Sequence, residues 1–233
     1  MTREEYIKKL FSLFELVNVL SEKNGGKVLR LRHKTLKKDM ILRSYPQSFD
    51  AYRLLSGVLC ENLPEIYDAV ECEDGQVILE EYIDGITVAQ VMESGKYRYR
   101  GAKIVLQRVC HALSVLHENG IVHRDVKPEN VMIGKRGRVV LIDLNASRQH
   151  TESKRDTVVL GTVGYASPEQ MGIAQSDART DIYAMGVMLN VMLTGKHPSQ
   201  QLARGKGGRI VCKCTAIYPE NRYQTVQKLA NAL

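Results

Sequence analysis

Apolar residues recur along this chain with two different periods, and the change of period divides it. In the N-terminal third they come in short runs broken by charged and turn-forming residues, which predicts strands. Lys27–Leu31 and Asp39–Arg43 read as two strands joined by the polar stretch Arg32–Lys38, and Val77–Ile83 reads as another. From Gly101 onward the period becomes helical. Ile104, Val105, Val109, Ala112, Leu113 and Leu116 share one face of a helix over Gly101–Gly120, with Gly120 placed to end it. A β-rich piece follows: Val131–Ile133, a turn over Gly134–Gly137, then Val139–Ile142. Asn145–Thr157 is polar and reads as a long loop, while Thr180–Thr194 and Arg222–Leu233 are helical by period. A β-rich front and a helical back predict an α+β architecture of two lobes, residues 1–82 and 83–233. No internal repeat or low-complexity segment is present.

Composition narrows the class. The chain has 233 residues, 44% hydrophobic and 25% charged, which suits a soluble globular protein and excludes a disulfide miniprotein, a collagen and a disordered tail. The apolar stretch Gly186–Leu193 is short and interrupted by Asn190, and the N-terminus lacks the apolar core and cleavage site of a signal peptide, so no membrane segment is expected within this chain. Cys60, Cys72, Cys110, Cys212 and Cys214 are odd in number and lack zinc-ligand spacing; Cys212 and Cys214, around Lys213, offer a weak metal site at most. The set reads as reduced thiols of a cytoplasmic protein. A net charge of +7 favours acidic partners such as phosphate, anionic lipid or acidic protein. Basic residues crowd Lys23–Arg43, but no Phe, Tyr or Trp is interleaved with them, so nucleic acid is not expected and a solvated strand face is the better reading.

The chemistry concentrates in His123-Arg124-Asp125-Val126-Lys127-Pro128-Glu129-Asn130, followed by an apolar strand that ends in Asp143. Two carboxylates, a lysine and a carboxamide thus surround a strand–loop–strand. One carboxylate can accept a proton from a hydroxyl. The other, with the amide oxygen, can hold Mg²⁺ on phosphates, and Lys127 can neutralise charge on a transferring phosphoryl group.

This string resembles the catalytic loop of eukaryotic-type protein kinases, with bacterial Ser/Thr kinases among them, and the resemblance extends from about Phe14 to Leu233. Asp143-Leu144-Asn145 sits where the family has DFG. Gly161-Thr162-Val163-Gly164-Tyr165-Ala166-Ser167-Pro168-Glu169 is similar to the substrate-docking segment ending in APE. Asp181-Ile182-Tyr183-Ala184-Met185-Gly186 resembles the helix whose Asp braces the catalytic loop, and Arg222 matches the arginine that pairs with Glu169. Glu81-Tyr82-Ile83-Asp84-Gly85 resembles the hinge, where the backbone of Glu81 and Ile83 bonds adenine. The resemblance implies a two-lobed protein-kinase fold and transfer of the γ-phosphoryl of ATP, with Mg²⁺ or Mn²⁺ in its place, to a protein Ser or Thr hydroxyl. It makes Asp125 the catalytic base, Asn130 and Asp143 the metal ligands, and Lys127 the phosphate-neutralising cation. Lys127 and Thr162 imply Ser/Thr rather than Tyr acceptors. Gly26, Val28, Ile41, Arg43 and Met132 become nucleotide contacts.

The N-terminal half departs from the pattern. The glycine-rich loop aligns with Ser21–Val28, where only Gly26 and Val28 match, and taken alone this stretch fits an ordinary hairpin turn. Arg43 stands in place of the strand lysine and Ile41 in place of the alanine that roofs adenine; Arg53 aligns near the helix glutamate that should pair with the lysine. Glu80, just before the hinge, is an ionised group where the family has an uncharged one. A buried carboxylate needs a counter-charge, so Glu80 either pairs with Arg43 or Arg53 or points to solvent. Leu144 keeps an apolar plug, and Asn145 tolerates left-handed backbone. Thr157 is the first candidate phosphate acceptor on the loop, with Arg124 as the cation to hold its phosphate. The leading reading is a Ser/Thr protein kinase. The alternatives are a pseudokinase scaffold with weak or no turnover, supported by Arg43, Ile41, Arg53 and the glycine-poor loop, and a small-molecule phosphotransferase of related fold. The sequence does not specify an oligomeric state.

Overall fold

The short apolar runs of the N-terminal third build one antiparallel sheet. In the computed structural model the described residues are 1–149, 164–171 and 176–233, and the chain divides into two units, each taken separately below. The first comprises Met1–Cys60 and Pro64–Ile83. Its elements are α1 (Arg3–Leu10), β1 (Phe14–Lys23), β2 (Gly26–His33), β3 (Asp39–Tyr45), α2 (Asp50–Leu54), β4 (Ile66–Cys72) and β5 (Gly75–Glu81). The sheet order is β1-β2-β3-β5-β4. Pairing of Val28 with Arg43, Arg43 with Ile78 and Ile41 with Glu80 sets these five side chains on one face. Leu29, Leu31, Met40, Leu42, Val77 and Leu79 alternate onto the other face, where with Phe14 they form a buried cluster. Tyr6, Ile7 and Leu10 of α1 pack on that cluster. Helix α1 starts at a capping box: Thr2 Oγ1 accepts from Glu5 N and Glu5 accepts from Thr2 N.

The basic segment is largely consumed by this unit. Arg30 and Arg32 both pair with Asp39, whose carboxyl the Arg32 hydrogen bond, with that of Arg30, holds down to about 2. Arg30 also lies 4.1 Å over the Tyr82 ring, Lys38 donates to Tyr67 Oη at 2.6 Å, Lys27 pairs with Glu22, and Lys34 donates to the carbonyls of Phe11 and Ser12. The aromatics absent from the segment's sequence are thus supplied by the fold. The unit carries 12 Lys and Arg against 13 Asp and Glu, so the chain's positive excess lies in the other unit.

The second unit comprises Glu61–Leu63 and Asp84–Leu233. Its elements are β6 (Gly85–Thr87), α3 (Val88–Glu93), α4 (Tyr99–Glu118), β7 (Ile121–Val122), β8 (Val131–Gly134), β9 (Val139–Leu141), β10 (Arg148–Gln149), α5 (Ala178–Thr194), α6 (Gly205–Cys214) and α7 (Val226–Ala232). Strands β6, β8 and β9 pair in that order, and β10 pairs with β7. The apolar stripe of α4, from Ala102 to Leu116, is buried, and α5 is buried on nearly every side. Gly120 lies just past the end of α4 at φ 70, and Gly195 caps α5 at φ 73. The division between the units falls after Ile83. Glu61–Leu63 go with the second because Asn62 Nδ2 donates to Val139 O at 2.6 Å and Leu141 N donates to Asn62 O at 2.9 Å. Among the described residues no helix is long and apolar enough to cross a membrane.

Helices α5 and α6 touch at Gly186, where an added Cβ would overlap Cys214 Cβ. Gly186→Ala is therefore expected to destabilise the unit by about 1–3 kcal/mol through overpacking, measurable as a lowered urea midpoint at unchanged slope.

Candidate functional site

The segment from β7 to β8 is a loop held from beneath by one carboxylate. Asp181, fully buried in α5, accepts hydrogen bonds from His123 N at 3.0 Å, Arg124 N at 2.8 Å and His117 Nε2 at 2.8 Å. A carboxylate only accepts, so His117 carries its proton on Nε2. Burial alone would raise the Asp181 carboxyl; the hydrogen bond from His117 and the backbone donor of His123 outweigh it and hold the group below its ordinary value. His123 packs within the loop, its Nε2 donating to Ile142 O at 3.3 Å while Nδ1 accepts from Asp125 N at 3.3 Å. Arg124 and Asp143 both sit at φ 68, left-handed backbone that non-glycine residues rarely adopt. In this way the loop presents Asp125 and reverses the chain within a few residues.

Asp125, Lys127 and Asn130 form one polar cluster. Lys127 Nζ lies 2.7 Å from Asp125 Oδ2, and Asn130 Nδ2 donates to Asp125 Oδ2 at 2.9 Å and to Asp125 O at 2.8 Å. Both partners of the Asn130 amide can only accept, so its nitrogen must face them and its Oδ1 faces away. Asn130 O accepts from Ile142 N at 2.8 Å, which sets Asn130 beside the residue preceding Asp143. Leu144 is buried, as an apolar plug should be, and Asn145 N donates to Asp143 Oδ1 at 3.4 Å.

The segment around Glu169 is fixed to the same loop. Gln170 Nε2 donates to Arg124 O at 3.0 Å, and its Oε1 accepts from Ser167 N at 3.0 Å. Arg222 grips Glu169 with Nη1 at 2.6 Å and Nη2 at 2.9 Å. Its remaining donors go to the carbonyls of Ala216, Arg179 and Ile217, and the guanidinium lies 5.0 Å over the Tyr183 ring. Burial would raise the Glu169 carboxyl, but the Arg222 hydrogen bonds overcome that and lower it. His117, Gln170 and Tyr183 were not singled out in the sequence, because nothing in their spacing ties them to the loop. Thr157 and Thr162 lie outside the described residues.

In the first unit the buried charge is answered within the sheet. Arg43 Nε donates to Glu80 Oε1 at 2.6 Å, with the two residues 7% and 3% exposed, and Arg43 Nη1 reaches Tyr45 Oη at 3.2 Å. Of the two arginines expected to face Glu80, Arg43 does so from the neighbouring strand. Arg53 instead pairs with Asp50, the only acid of α2, at 3.2 Å on the exposed side of that helix. Ile41 is buried on the same face. Gly26 has a packing reason to be glycine: a Cβ would crowd Tyr45 Cδ1, Ser44 O and Lys23 O. The stretch aligned with the glycine-rich loop is a two-residue hairpin turn, with Asn24 at φ 52 and Gly25 at φ 72 and Lys23 paired with Gly26. Glu81 N donates to Glu65 O at 2.9 Å, Ile83 is buried, and Met132 pairs with Val140 in the second unit.

Among the described residues no group of three or more His, Cys, Asp or Glu could hold a metal by itself. Asn130 Oδ1 and the Asp143 carboxylate nevertheless suit Mg²⁺, a hard cation that takes one or two protein oxygens and completes its shell with water and substrate phosphate.

Comparison with known proteins agrees with this geometry. Residues 18–231 match the family described as the protein kinase domain. Serine/threonine-protein kinase PknB of Mycobacterium tuberculosis is 31% identical across 98% of this chain and 43% of its own length, and PknB of Mycolicibacterium smegmatis is 30% identical over the same shares. A probable serine/threonine-protein kinase of Clostridium acetobutylicum is 30% identical across 74% of this chain and 30% of its own. The chain spans less than half the length of these relatives.

Because Asp181 and Glu169 are held below their ordinary values, their contribution to stability is complete above the unfolded carboxylate range, about pH 4, and is lost as pH falls through their lower folded values. Urea unfolding of the wild type is expected to show falling stability below about pH 4. Asp181→Asn is expected to flatten that dependence while lowering stability at neutral pH by about 3–5 kcal/mol, since an amide cannot accept from all three donors.

Proposed function

The chain belongs to the protein kinase domain family, and from that premise we propose that it is a Ser/Thr protein kinase that transfers the γ-phosphoryl group of ATP to a protein hydroxyl. The observation that carries this reading is the Asp125–Lys127–Asn130 cluster on a loop held by Asp181. Asp125 accepts from Lys127 and Asn130 and orients the acceptor hydroxyl, taking its proton as the new O–P bond forms and the bond from the γ-phosphorus to the bridging oxygen breaks, releasing ADP. Lys127, already on Asp125, offsets negative charge on the transferring group. Asn130 Oδ1 and Asp143 are the residues to hold Mg²⁺, which when bound neutralises phosphate oxygens; Mn²⁺ suits the same oxygen donors.

In the first unit Arg43 supplies the cation for the α- and β-phosphates, and Glu80 holds it in place of a helix carboxylate. Val28 and Ile41 share the face of Arg43 and form the adenine roof. The backbone of Glu81 and Ile83 bonds the base and Gly26 lies at the phosphate turn; in the second unit Met132 is the residue that matches a nucleotide contact of the family. Arg124 is the cation to receive a phosphate on Thr157. The docking segment held by Glu169 and Arg222 favours a protein acceptor over a small molecule. A cytoplasmic setting suits the five free cysteines.

Incubation with Mg-ATP and a generic protein substrate, followed by phosphoamino-acid analysis, is expected to yield phosphoserine or phosphothreonine. Asp125→Ala is expected to lower kcat by at least about 100-fold with an unchanged far-ultraviolet spectrum. Wild-type phosphorylation no higher than that of Asp125→Ala would favour a non-catalytic scaffold.

A further inference from the structure

Helix α1 lies ahead of the stretch that matches the family, and its first residue does more than pack. Arg3 reaches three points at one end of the sheet. Its Nη1 donates to Gly25 O at 3.1 Å, in the β1–β2 turn, and to Ser44 Oγ at 3.2 Å, the residue after Arg43 on β3. Its Nε donates to Asp74 Oδ2 at 3.2 Å and its backbone N to Asp74 Oδ1 at 2.7 Å, in the β4–β5 turn. The side chain is 17% exposed, so these bonds are only partly screened. The helix beneath is secured independently by its capping box, by Tyr6 Oη donating to Asp68 Oδ2 at 2.6 Å, and by its apolar face on the sheet cluster. Arg3 is therefore a clasp mounted on a fixed base. It approaches from the face opposite Arg43 and Glu80, and so occupies none of the surface those residues present.

The β1–β2 turn is the part of this sheet that aligns with the phosphate-covering loop, yet it has lost most of the glycines that would let its backbone settle on an anion. A two-residue turn at Asn24 and Gly25, led into by a strand with side chains at Ser21, Glu22 and Lys23, must instead be held where it is useful. We propose that Arg3 is a positioning residue for the triphosphate: through Gly25 and Ser44 it fixes the β1–β2 turn against the strand that carries Arg43. The inference rests on the phosphoryl-transfer reading above. It assigns to a helix ahead of the family match the ordering of a loop whose own sequence no longer encodes its usual shape.

The test compares wild type with Arg3→Ala, Arg3→Lys and Lys8→Ala, an exposed lysine of the same helix. Two readouts are taken: amide hydrogen exchange at Gly25–Lys27, and steady-state kinetics with ATP and protein substrate varied separately. Arg3→Ala is expected to speed exchange at the turn by roughly tenfold and to raise KM for ATP several-fold, with KM for protein unchanged. Arg3→Lys keeps the charge without the fork and should fall between, and Lys8→Ala should match wild type. Wild-type turnover with exchange and KM for ATP unaltered in Arg3→Ala would overturn the positioning role alone. Equal rises in both KM values would also overturn it, by showing a general loss of structure. Absence of turnover in every variant would overturn the phosphoryl-transfer reading and the role with it, and the exchange data would still report whether the clasp exists.

Discussion

A charge removed from water must meet its opposite at hydrogen-bond distance, and the functional parts of this protein are arranged around that requirement. Three buried sites satisfy it: Arg43 with Glu80 in the sheet, Asp181 with two backbone donors and His117, and Arg222 with Glu169. In each, removing one partner would strand the other in a low-dielectric surrounding. Each therefore constrains the backbone that carries it as firmly as an apolar contact does, and with more direction.

The pair in the sheet has a particular consequence. In protein kinases the strand lysine is matched by a carboxylate on a helix, and movement of that helix governs activity. Here Arg43 is paired with Glu80 of the adjacent strand, in a register set by six ladder pairs. Helix α2 is a five-residue turn whose one acid is spent on Arg53 at the surface. A pair built into a ladder is assembled whenever the sheet is. Arginine also suits the role sterically, since Nε binds Glu80 while Nη1 reaches Tyr45. The loop between β7 and β8 shows the complementary device. Its left-handed residue Arg124, and the left-handed Asp143 just past β9, are unfavourable in isolation and are held by Asp181, by the His123 ring and by the Asn130–Ile142 backbone bond.

How much was legible in the sequence follows from where information is local. The string from His123 to Asn130, the strand leading to Asp143, the apolar stripe of α4 and the apolar run of α5 were readable because each depends on spacing within a short segment. Helix α6 was missed because Gly205, Gly207 and Gly208 weaken its intrinsic signal, which only packing against α5 overrides. Strand β1 was missed because Leu16, Val17, Val19 and Leu20 do not alternate with polar residues and stay exposed on an edge with two register shifts. The need of Glu80 for an arginine could be stated from charge alone, but the choice between Arg43 and Arg53 required the strand register. The excess of cations in Lys23–Arg43 suggested a charged surface, and only the fold revealed Asp39, Tyr67 and Tyr82 as its internal partners.

Glu80, not a helix residue, holds Arg43, and the proposed nucleotide site depends on that pair. Measuring kcat/KM for ATP in Glu80→Gln and Arg53→Ala tests that dependence directly. Glu80→Gln keeps the shape and removes the charge, and is expected to lose about 100-fold as Arg43 shifts from its position, whereas Arg53→Ala is expected to stay near wild type. Wild-type efficiency in Glu80→Gln, or an equal loss in Arg53→Ala, would contradict it.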